Sequence, residues 1–323
     1  MPPPDRDLQP DGAAPGAIGE RPRLLDPVEL ASLASLAIRA RVVVEGAFVG
    51  LHHNRHSGAA IEFAEHKEYA PGDDVRHIDW RAVARVDRYY IKRFEDETEM
   101  RTYLLLDTSA SMGYQRLGVS KLTYGSMLCA ALAYLLSQQG DPAGLLLFDE
   151  GTRHYLPPRS RAGHVRDLLA MLESTFPAGR TAPERALGQI GELAERRSLV
   201  VLFSDLLDAT DELGGRLRQL RARGHDVVLF QLLDRDEIEL GLDDLRHFEG
   251  MEPGDDRRLL ADPRELRQAF RRESELFRAR WRDLCVDAQV EYHLAVTDVP
   301  PSEVLRQFLF ARQRARVAPT ARR

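Results

Sequence analysis

The chain of 323 residues has few cysteines and no long apolar run. Its two cysteines, Cys129 and Cys285, cannot form a disulfide framework or a four-thiolate metal site, and this usage is typical of a reducing cytoplasm. No stretch approaches the roughly 18 continuous apolar residues that a membrane helix needs. Several prolines and glycines and no apolar core occupy the first twenty residues, so we expect neither a signal peptide nor an anchor there.

Nucleotide-binding motifs and an excess of basic residues are also missing. No G-x-x-x-x-G-K-[ST] or G-x-G-x-x-G motif follows a predicted strand, so ATP hydrolysis would have to come from a partner. The formal net charge of −6 does not suggest a nucleic acid partner. A hydrophobic content of 43% nevertheless supports a substantial core. We therefore expect a cytoplasmic protein that binds neither nucleic acid nor a membrane.

Strands and helices alternate after residue 100, which predicts a doubly wound, mostly parallel α/β sheet. Upstream, residues 41–44 and 48–49 look extended and indicate an N-terminal subdomain that is mainly β. The predicted organisation is a disordered N-terminus at 1–22, a helix plus β subdomain at 23–100, the α/β domain at 101–313 with an insertion at 234–262 that contains a small hairpin around Phe248 and Leu259, and a basic tail at 314–323.

A polar loop follows the first predicted strand of the α/β domain. The apolar residues 103–106 lead directly into Asp107, Ser109 and Ser111, and a strongly apolar helix follows at 122–136. An open α/β sheet presents its binding sites at such a carboxyl strand end. One carboxylate and two hydroxyls are oxygen ligands of the kind that hard cations take.

Two later loops are predicted to reach the same edge of the sheet. Thr181 precedes a helix in one of them, and Asp205 closes the strand at 199–203. The candidate ligand set then contains two carboxylates and three hydroxyls, which favours Mg²⁺, or Mn²⁺, over Ca²⁺. The hydroxyls are neutral, and if the two aspartates act mostly through bound water, the ion keeps excess positive charge. It then has an open position that attracts an outside carboxylate. The alternative is that Asp107 merely ends a strand while Ser111 caps a helix.

A dense charged stretch lies at residues 68–80, around the turn at Pro71-Gly72. Local physics favours a hairpin tip with salt-bridged walls. The functional alternative is a docking surface or an interdomain clamp, and its candidate residues are Asp73, Asp74, Arg76, Asp79 and Trp80.

These two motifs together resemble a bacterial domain-of-unknown-function family, number fifty-eight, that is von Willebrand factor A-like and associated with MoxR-type AAA+ ATPases. The resemblance covers about residues 40–313 and includes Thr297-Asp298-Val299-Pro300. It implies a metal-ion-dependent adhesion site at Asp107, Ser109, Ser111, Thr181 and Asp205. It also implies a non-enzymatic adaptor that works with the ATPase on an unknown client protein. The glycine usual after the last aspartate is Leu206 here.

Two other site types fit the sequence less well. A Mg²⁺-dependent phosphohydrolase of the haloacid-dehalogenase type needs a second aspartate two positions after the first, and this chain has Ser109 there. A histidine metal cluster at His52, His53 and His56 has no matching carboxylate or cysteine, so a solvated loop is the better interpretation.

Overall fold

The computed structural model describes residues 25–33, 35–53, 66–68, 90–92, 100–116, 118–161, 163–194, 197–242, 246–249, 251 and 258–317. The candidate docking residues Asp73, Asp74, Arg76, Asp79 and Trp80 lie outside the described residues, as do residues 1–22 and His56. The boundaries predicted between domains therefore stay a prediction.

A six-stranded sheet forms the centre of the fold. Its strands, in chain order, are β3 (Arg101–Asp107), β4 (Ala143–Phe148), β5 (Thr152–Arg159), β6 (Ser198–Ser204), β7 (Asp226–Leu233) and β10 (Glu291–Val296). They lie in the order β10-β7-β6-β3-β4-β5, and only β5 is antiparallel to its neighbour. This is the doubly wound order: β4 and β5 lie on one side of β3, and the strands from β6 onward lie on its other side. The order of the strands therefore reverses between β3 and β6. The predicted fold class is confirmed.

Helices cover both faces of this sheet because its strands are apolar on both sides. Leu104 and Leu106 of β3 belong to one hydrophobic core, and Tyr103 and Leu105 belong to the other. The helices of the first face are α1 (Pro27–Ala31), α2 (Leu36–His53), α3 (Lys121–Gln139), α4 (His164–Glu173) and α9 (Pro301–Val317). The second face carries α5 (Pro183–Leu193), α6 (Glu212–Ala222) and α8 (Pro263–Asp287).

The extended conformation predicted for residues 41–44 and 48–49 is wrong. These residues lie within the 18-residue helix α2, which packs against α3 and α9. Ala40, Val43 and Ala47 recur at helical spacing and are fully or almost fully buried. Burial of this face outweighs the strand preference of three consecutive valines. Of residues 54–99, the structure describes the antiparallel strands β1 (His66–Glu68) and β2 (Tyr90–Lys92).

The segment after β7 contains a short helix, α7 (Asp236–Glu239), and the strands β8 (Arg246–Glu249) and β9 (Arg258–Ala261). Phe248 pairs directly with Leu259 in antiparallel register, which confirms the hairpin predicted around these two residues. Strand β5 continues through Pro157 and Pro158, which an edge strand tolerates. Helix α9 runs to Val317 and so includes the first residues of the segment predicted as a basic tail.

A buried histidine makes the stability of this fold depend on pH. His225 is 2% exposed before β7, and its Nδ1 has no hydrogen-bond partner among the described residues. Burial and the nearby charge of Arg223 lower the pKa of His225. The stabilising contribution of the neutral, buried imidazole is therefore complete above the pKa of histidine in the unfolded chain, about 6.5. It is lost as the pH falls through the lower pKa of the folded state.

We expect the melting temperature of a His225→Leu variant to fall less steeply than that of the wild type between pH 7.5 and pH 5. Scanning calorimetry across this range checks the prediction. Comparison at pH 8, where the histidine is neutral in both folded and unfolded chains, isolates the packing effect of the substitution. Parallel curves for the two proteins would contradict it.

Candidate metal centre

The first loop of the site follows β3 at the centre of the sheet. Asp107 is fully buried, and its Oδ1 accepts a hydrogen bond from the backbone N–H of Ser109 at 2.9 Å. The next turn is a 3-10 helix at Ala110–Gly113, which brings the hydroxyls of Ser109 and Ser111 within 3.2 Å of each other. One carboxylate and two hydroxyls therefore share one small region, as the motif predicts.

Thr181 reaches this region from the loop before α5. Its hydroxyl donates to Asp107 Oδ2 at 2.6 Å. Backbone hydrogen bonds tie the two loops together: Ala110 N–H donates to the carbonyl of Gly179 at 2.9 Å, and Ala178 N–H donates to that of Thr108 at 2.8 Å. The two loops thus hold each other in register, and Thr181 lies beside the motif from which it is separated by 70 residues or more of chain.

The third loop follows β6, which lies beside β3 on the side opposite β4. Ser204, which sequence reasoning missed, donates its hydroxyl to Asp107 Oδ2 at 2.6 Å and accepts the N–H of Leu206 at 3.1 Å. The signal in the sequence that could have identified Ser204 is its position at the end of a strand next to β3. Asp107 thus accepts three hydrogen bonds, from Ser109, Thr181 and Ser204.

Leu206 adopts the backbone conformation that the resemblance assigns to glycine. Its φ is +62°, in the left-handed region, where an ordinary residue costs about 1–2 kcal/mol relative to glycine. The side chain is fully buried in the second hydrophobic core, which offsets part of this cost. This loop therefore holds a leucine in the left-handed region, at the position where the resemblance expects glycine.

Asp205 points its carboxylate at a buried lysine rather than at Asp107. Lys121 is the first residue of α3, and its side chain is fully buried. Its Nζ lies 2.7 Å from Asp205 Oδ2 and 2.6 Å from Glu237 Oε1, while Asp205 Oδ1 accepts the N–H of Leu207 at 3.1 Å. Sequence reasoning missed both Lys121 and Glu237, because a lysine opening a helix ordinarily lies in solvent.

The electrostatics of this region favour an added cation. Burial raises the pKa of Asp107 to about 6, and the charge of Asp205 adds to that effect. Burial acts to lower the pKa of Lys121, but Asp205 and Glu237 outweigh it and raise the value to about 12. Three acids, Asp107, Asp205 and Glu237, thus face one base. A divalent cation would balance the two remaining negative charges.

The donor chemistry fits a hard cation such as Mg²⁺ or Mn²⁺. Hydroxyls of Ser109, Ser111 and Thr181 and carboxylates of Asp107 and Asp205 are oxygen ligands. Within the described part of the chain, no three His, Cys, Asp or Glu side chains form a metal-binding group. An imidazole or thiolate cage is therefore not available there, and the hydroxyl-rich set is the candidate.

A cavity of about 570 Å³ lies at the opposite end of the sheet, where its strands begin. Arg197, Arg221, Asp226 and Glu291 are among the residues that line it, and none of the five predicted ligands does. The candidate metal centre is therefore separate from this cavity.

Comparison with known proteins gives weakly similar sequences and folds. The uncharacterized protein Rv1480 of Mycobacterium tuberculosis is 28% identical over 225 residues, covering 67% of this chain and 68% of that protein. The uncharacterized protein YeaD of Bacillus subtilis is 26% identical over 185 residues, which cover 55% of this chain and 44% of that protein.

Among solved structures, similar chains include the conserved hypothetical protein BatB from Bacteroides thetaiotaomicron, with 15% identity, a TM-score of 0.46 and coverage of 67% of this chain and 99% of that one. A von Willebrand factor type A protein from Catenulispora acidiphila has 17% identity and a TM-score of 0.33, over 55% of this chain and 42% of that one. No helix among the described residues is long and apolar enough to span a membrane.

The family profile described as "Protein of unknown function DUF58" matches residues 65–280, more than half of the chain. This match confirms the family that the two sequence motifs predict. The chain belongs to the DUF58 family.

Proposed function

We propose that this chain is a non-enzymatic, divalent-cation-dependent protein-binding module, and that it serves as an adaptor of a MoxR-type AAA+ ATPase in the assembly or activation of client proteins. The observation that carries the proposal is the convergence of three loops on Asp107, with the hydroxyls of Ser109, Ser111 and Thr181 gathered beside it. The ATPase partner is what the family resemblance implies.

Mg²⁺ or Mn²⁺, when bound, would supply a Lewis-acidic position for a carboxylate of the partner. Ser109, Ser111 and Thr181 would hold the ion through neutral hydroxyls, with Asp107 and Asp205 contributing negative charge. The hydrogen bonds from Ser109 N–H, Thr181 and Ser204 fix the Asp107 carboxylate before any ion arrives. Such preorganisation lowers the entropic cost of binding.

Exposed side chains beside the site support a protein as the ligand. Phe176 is 61% exposed in the loop that leads to Thr181, and Leu207 is 45% exposed after Asp205. The Arg153 guanidinium lies 4.6 Å from the Phe176 ring centroid, and its Nη1 donates to the Phe176 carbonyl at 2.8 Å. Apolar and aromatic side chains held in place around a charged centre are typical of protein interfaces.

A pull-down with a purified MoxR-type AAA+ ATPase tests the proposal. We expect the full chain to retain the ATPase in Mg²⁺ and to lose it in EDTA, and a Ser109→Ala variant to reduce retention at least tenfold in Mg²⁺. Ser137→Ala is the matched control, because Ser137 is exposed near the other end of α3. Retention by the Ser109 variant equal to that of the wild type would refute a cation-mediated contact.

The alternative function is a Mg²⁺-dependent phosphohydrolase of the haloacid-dehalogenase type. Asp107 would be its nucleophile, but both of its carboxylate oxygens already accept hydrogen bonds, and Ser109 stands where such an enzyme has its second aspartate. Phosphate release from a panel of phosphomonoesters separates the two functions. Turnover that disappears in an Asp107→Ala variant would replace the adaptor proposal.

A further inference from the structure

Lys121 places a permanent positive charge inside the candidate metal centre. Its side chain is fully buried, so the ammonium has no solvent contact and depends on its two carboxylate partners. One of them, Asp205, belongs to the predicted ligand set of the cation. The other, Glu237, lies on α7, in the segment after β7. The ammonium therefore connects the candidate metal centre to a part of the chain outside it.

Both carboxylate oxygens of Asp205 have partners within the protein. Its Oδ2 accepts from Lys121 at 2.7 Å, and its Oδ1 accepts from Leu207 N–H at 3.1 Å. The buried Gln231 side chain donates to the Asp205 carbonyl at 3.3 Å, which holds the backbone as well. A cation that draws on the charge of Asp205 must therefore share this carboxylate with the ammonium.

Glu237 gives the ammonium a second partner that does not depend on Asp205. Glu237 Oε1 lies 2.6 Å from Lys121 Nζ, and its Oε2 accepts the N–H of Asp234 at 2.7 Å. The hydroxyl of Ser274 on α8 donates to the Glu237 carbonyl at 2.7 Å. Because its side chain and backbone are both held, Glu237 remains a partner when the charge of Asp205 is shared.

We propose that Lys121 is a resident counter-cation that sets the affinity of the metal centre, and that Glu237 is a positioning residue which acts through Lys121. This inference rests on the cation site of the proposed function. The ammonium competes with the divalent ion for Asp205 and so weakens binding of the ion. Glu237 draws the ammonium away from Asp205 and so strengthens binding of the ion. The two residues therefore have opposite effects on cation affinity.

Titration of the full chain with Mn²⁺, followed by the electron paramagnetic resonance signal of the free ion, tests the proposal. We expect Lys121→Met to lower the dissociation constant at least tenfold, and Glu237→Gln to raise it at least fivefold. In the Lys121→Met background, Glu237→Gln is expected to change it less than twofold, because the ammonium through which Glu237 acts is gone. Lys121→Met takes the ammonium away from two carboxylates, Asp205 and Glu237, and the double variant also removes the charge of Glu237.

Arg235→Gln is the matched control, since Arg235 lies in the same segment and pairs with Asp298 at 2.8 Å rather than with the metal centre. Its dissociation constant should stay within twofold of the wild type. If Lys121→Met is too unstable to titrate, Glu237→Gln alone decides, and an unchanged constant overturns the proposal.

The possible failures are distinguishable. A wild type that binds Mn²⁺ with the same constant as both single variants overturns the role of Lys121 and leaves the proposed function standing. If Glu237→Gln acts equally in both backgrounds, its effect does not pass through Lys121, and the positioning role is wrong. Absence of Mn²⁺ binding in the wild type and in Lys121→Met overturns both this inference and the cation-dependent function.

Discussion

An Asp107→Asn variant is expected to raise the Mn²⁺ dissociation constant at least a hundredfold while the protein stays folded. The carboxylate is the centre on which Ser109 N–H, Thr181 and Ser204 converge, and asparagine removes its charge while keeping an acceptor oxygen of similar shape. Asparagine keeps one acceptor oxygen, and the hydroxyls of Thr181 and Ser204 can rotate to accept from its amide N–H, so we expect the fold to persist. Titration with Mn²⁺ and a thermal melt measure the two effects separately.

Comparison of Asp107→Asn with Asp107→Ala separates the loss of charge from the loss of the hydrogen-bond acceptor. Alanine leaves three donors without their acceptor, and an unsatisfied buried donor costs about 1–3 kcal/mol, so we expect a lower melting temperature as well as lost cation binding. Asp208→Asn is the control, because Asp208 faces the exposed Arg180 at 3.7 Å and is not part of the candidate site. If Asp107→Asn bound Mn²⁺ like the wild type, the three-loop site would not be the cation site.

Truncating Trp281 to alanine is expected to lower the free energy of unfolding by about 3–5 kcal/mol, the usual cost of removing a large buried side chain. Trp281 is 1% exposed in the core between α8 and the sheet, and its ring packs edge-on against Phe277 at a centroid distance of 6.2 Å. Urea unfolding followed by circular dichroism gives the change in free energy.

Leu276→Ala is the matched control on the same helix. Leu276 is 54% exposed, so its truncation should change the free energy of unfolding by less than about 0.5 kcal/mol. Equal urea midpoints for the Trp281 variant and the wild type would mean that α8 does not contribute to the core as its burial indicates. The comparison thus tests whether the long helix after the β8–β9 hairpin is integral to the α/β fold.

Several elements were predictable from the sequence because their signal is local. The run at 103–106 and the continuous apolar stretch of β4 identify central strands, and both are almost completely buried. Alternation of such runs with amphipathic helices predicts the doubly wound sheet. The prediction for helix α2 is wrong because consecutive valines favour a strand locally, while its helical face becomes evident only when α3 and α9 pack against it.

The candidate site was predictable to the extent that it follows strand ends. Asp107, Ser109 and Ser111 lie close together in the chain, and Thr181 reaches Asp107 because its loop meets the same edge of the sheet. The neighbours Ser204, Lys121 and Glu237 were not predicted. Their types carry no distinctive pattern, and their roles depend on contacts between segments up to 116 residues apart.

The amino-acid sequence by itself determined the strands of the central sheet, the family and the identity of the oxygen-bearing side chains at the strand ends, because periodicity and short motifs are properties of neighbouring residues. Only the tertiary structure decided that α2 is a helix, that Ser204 shares Asp107 with Thr181, and that Lys121 is enclosed between Asp205 and Glu237. Burial of a charge and the pairing of distant carboxylates arise when separate elements pack, and no local pattern encodes them.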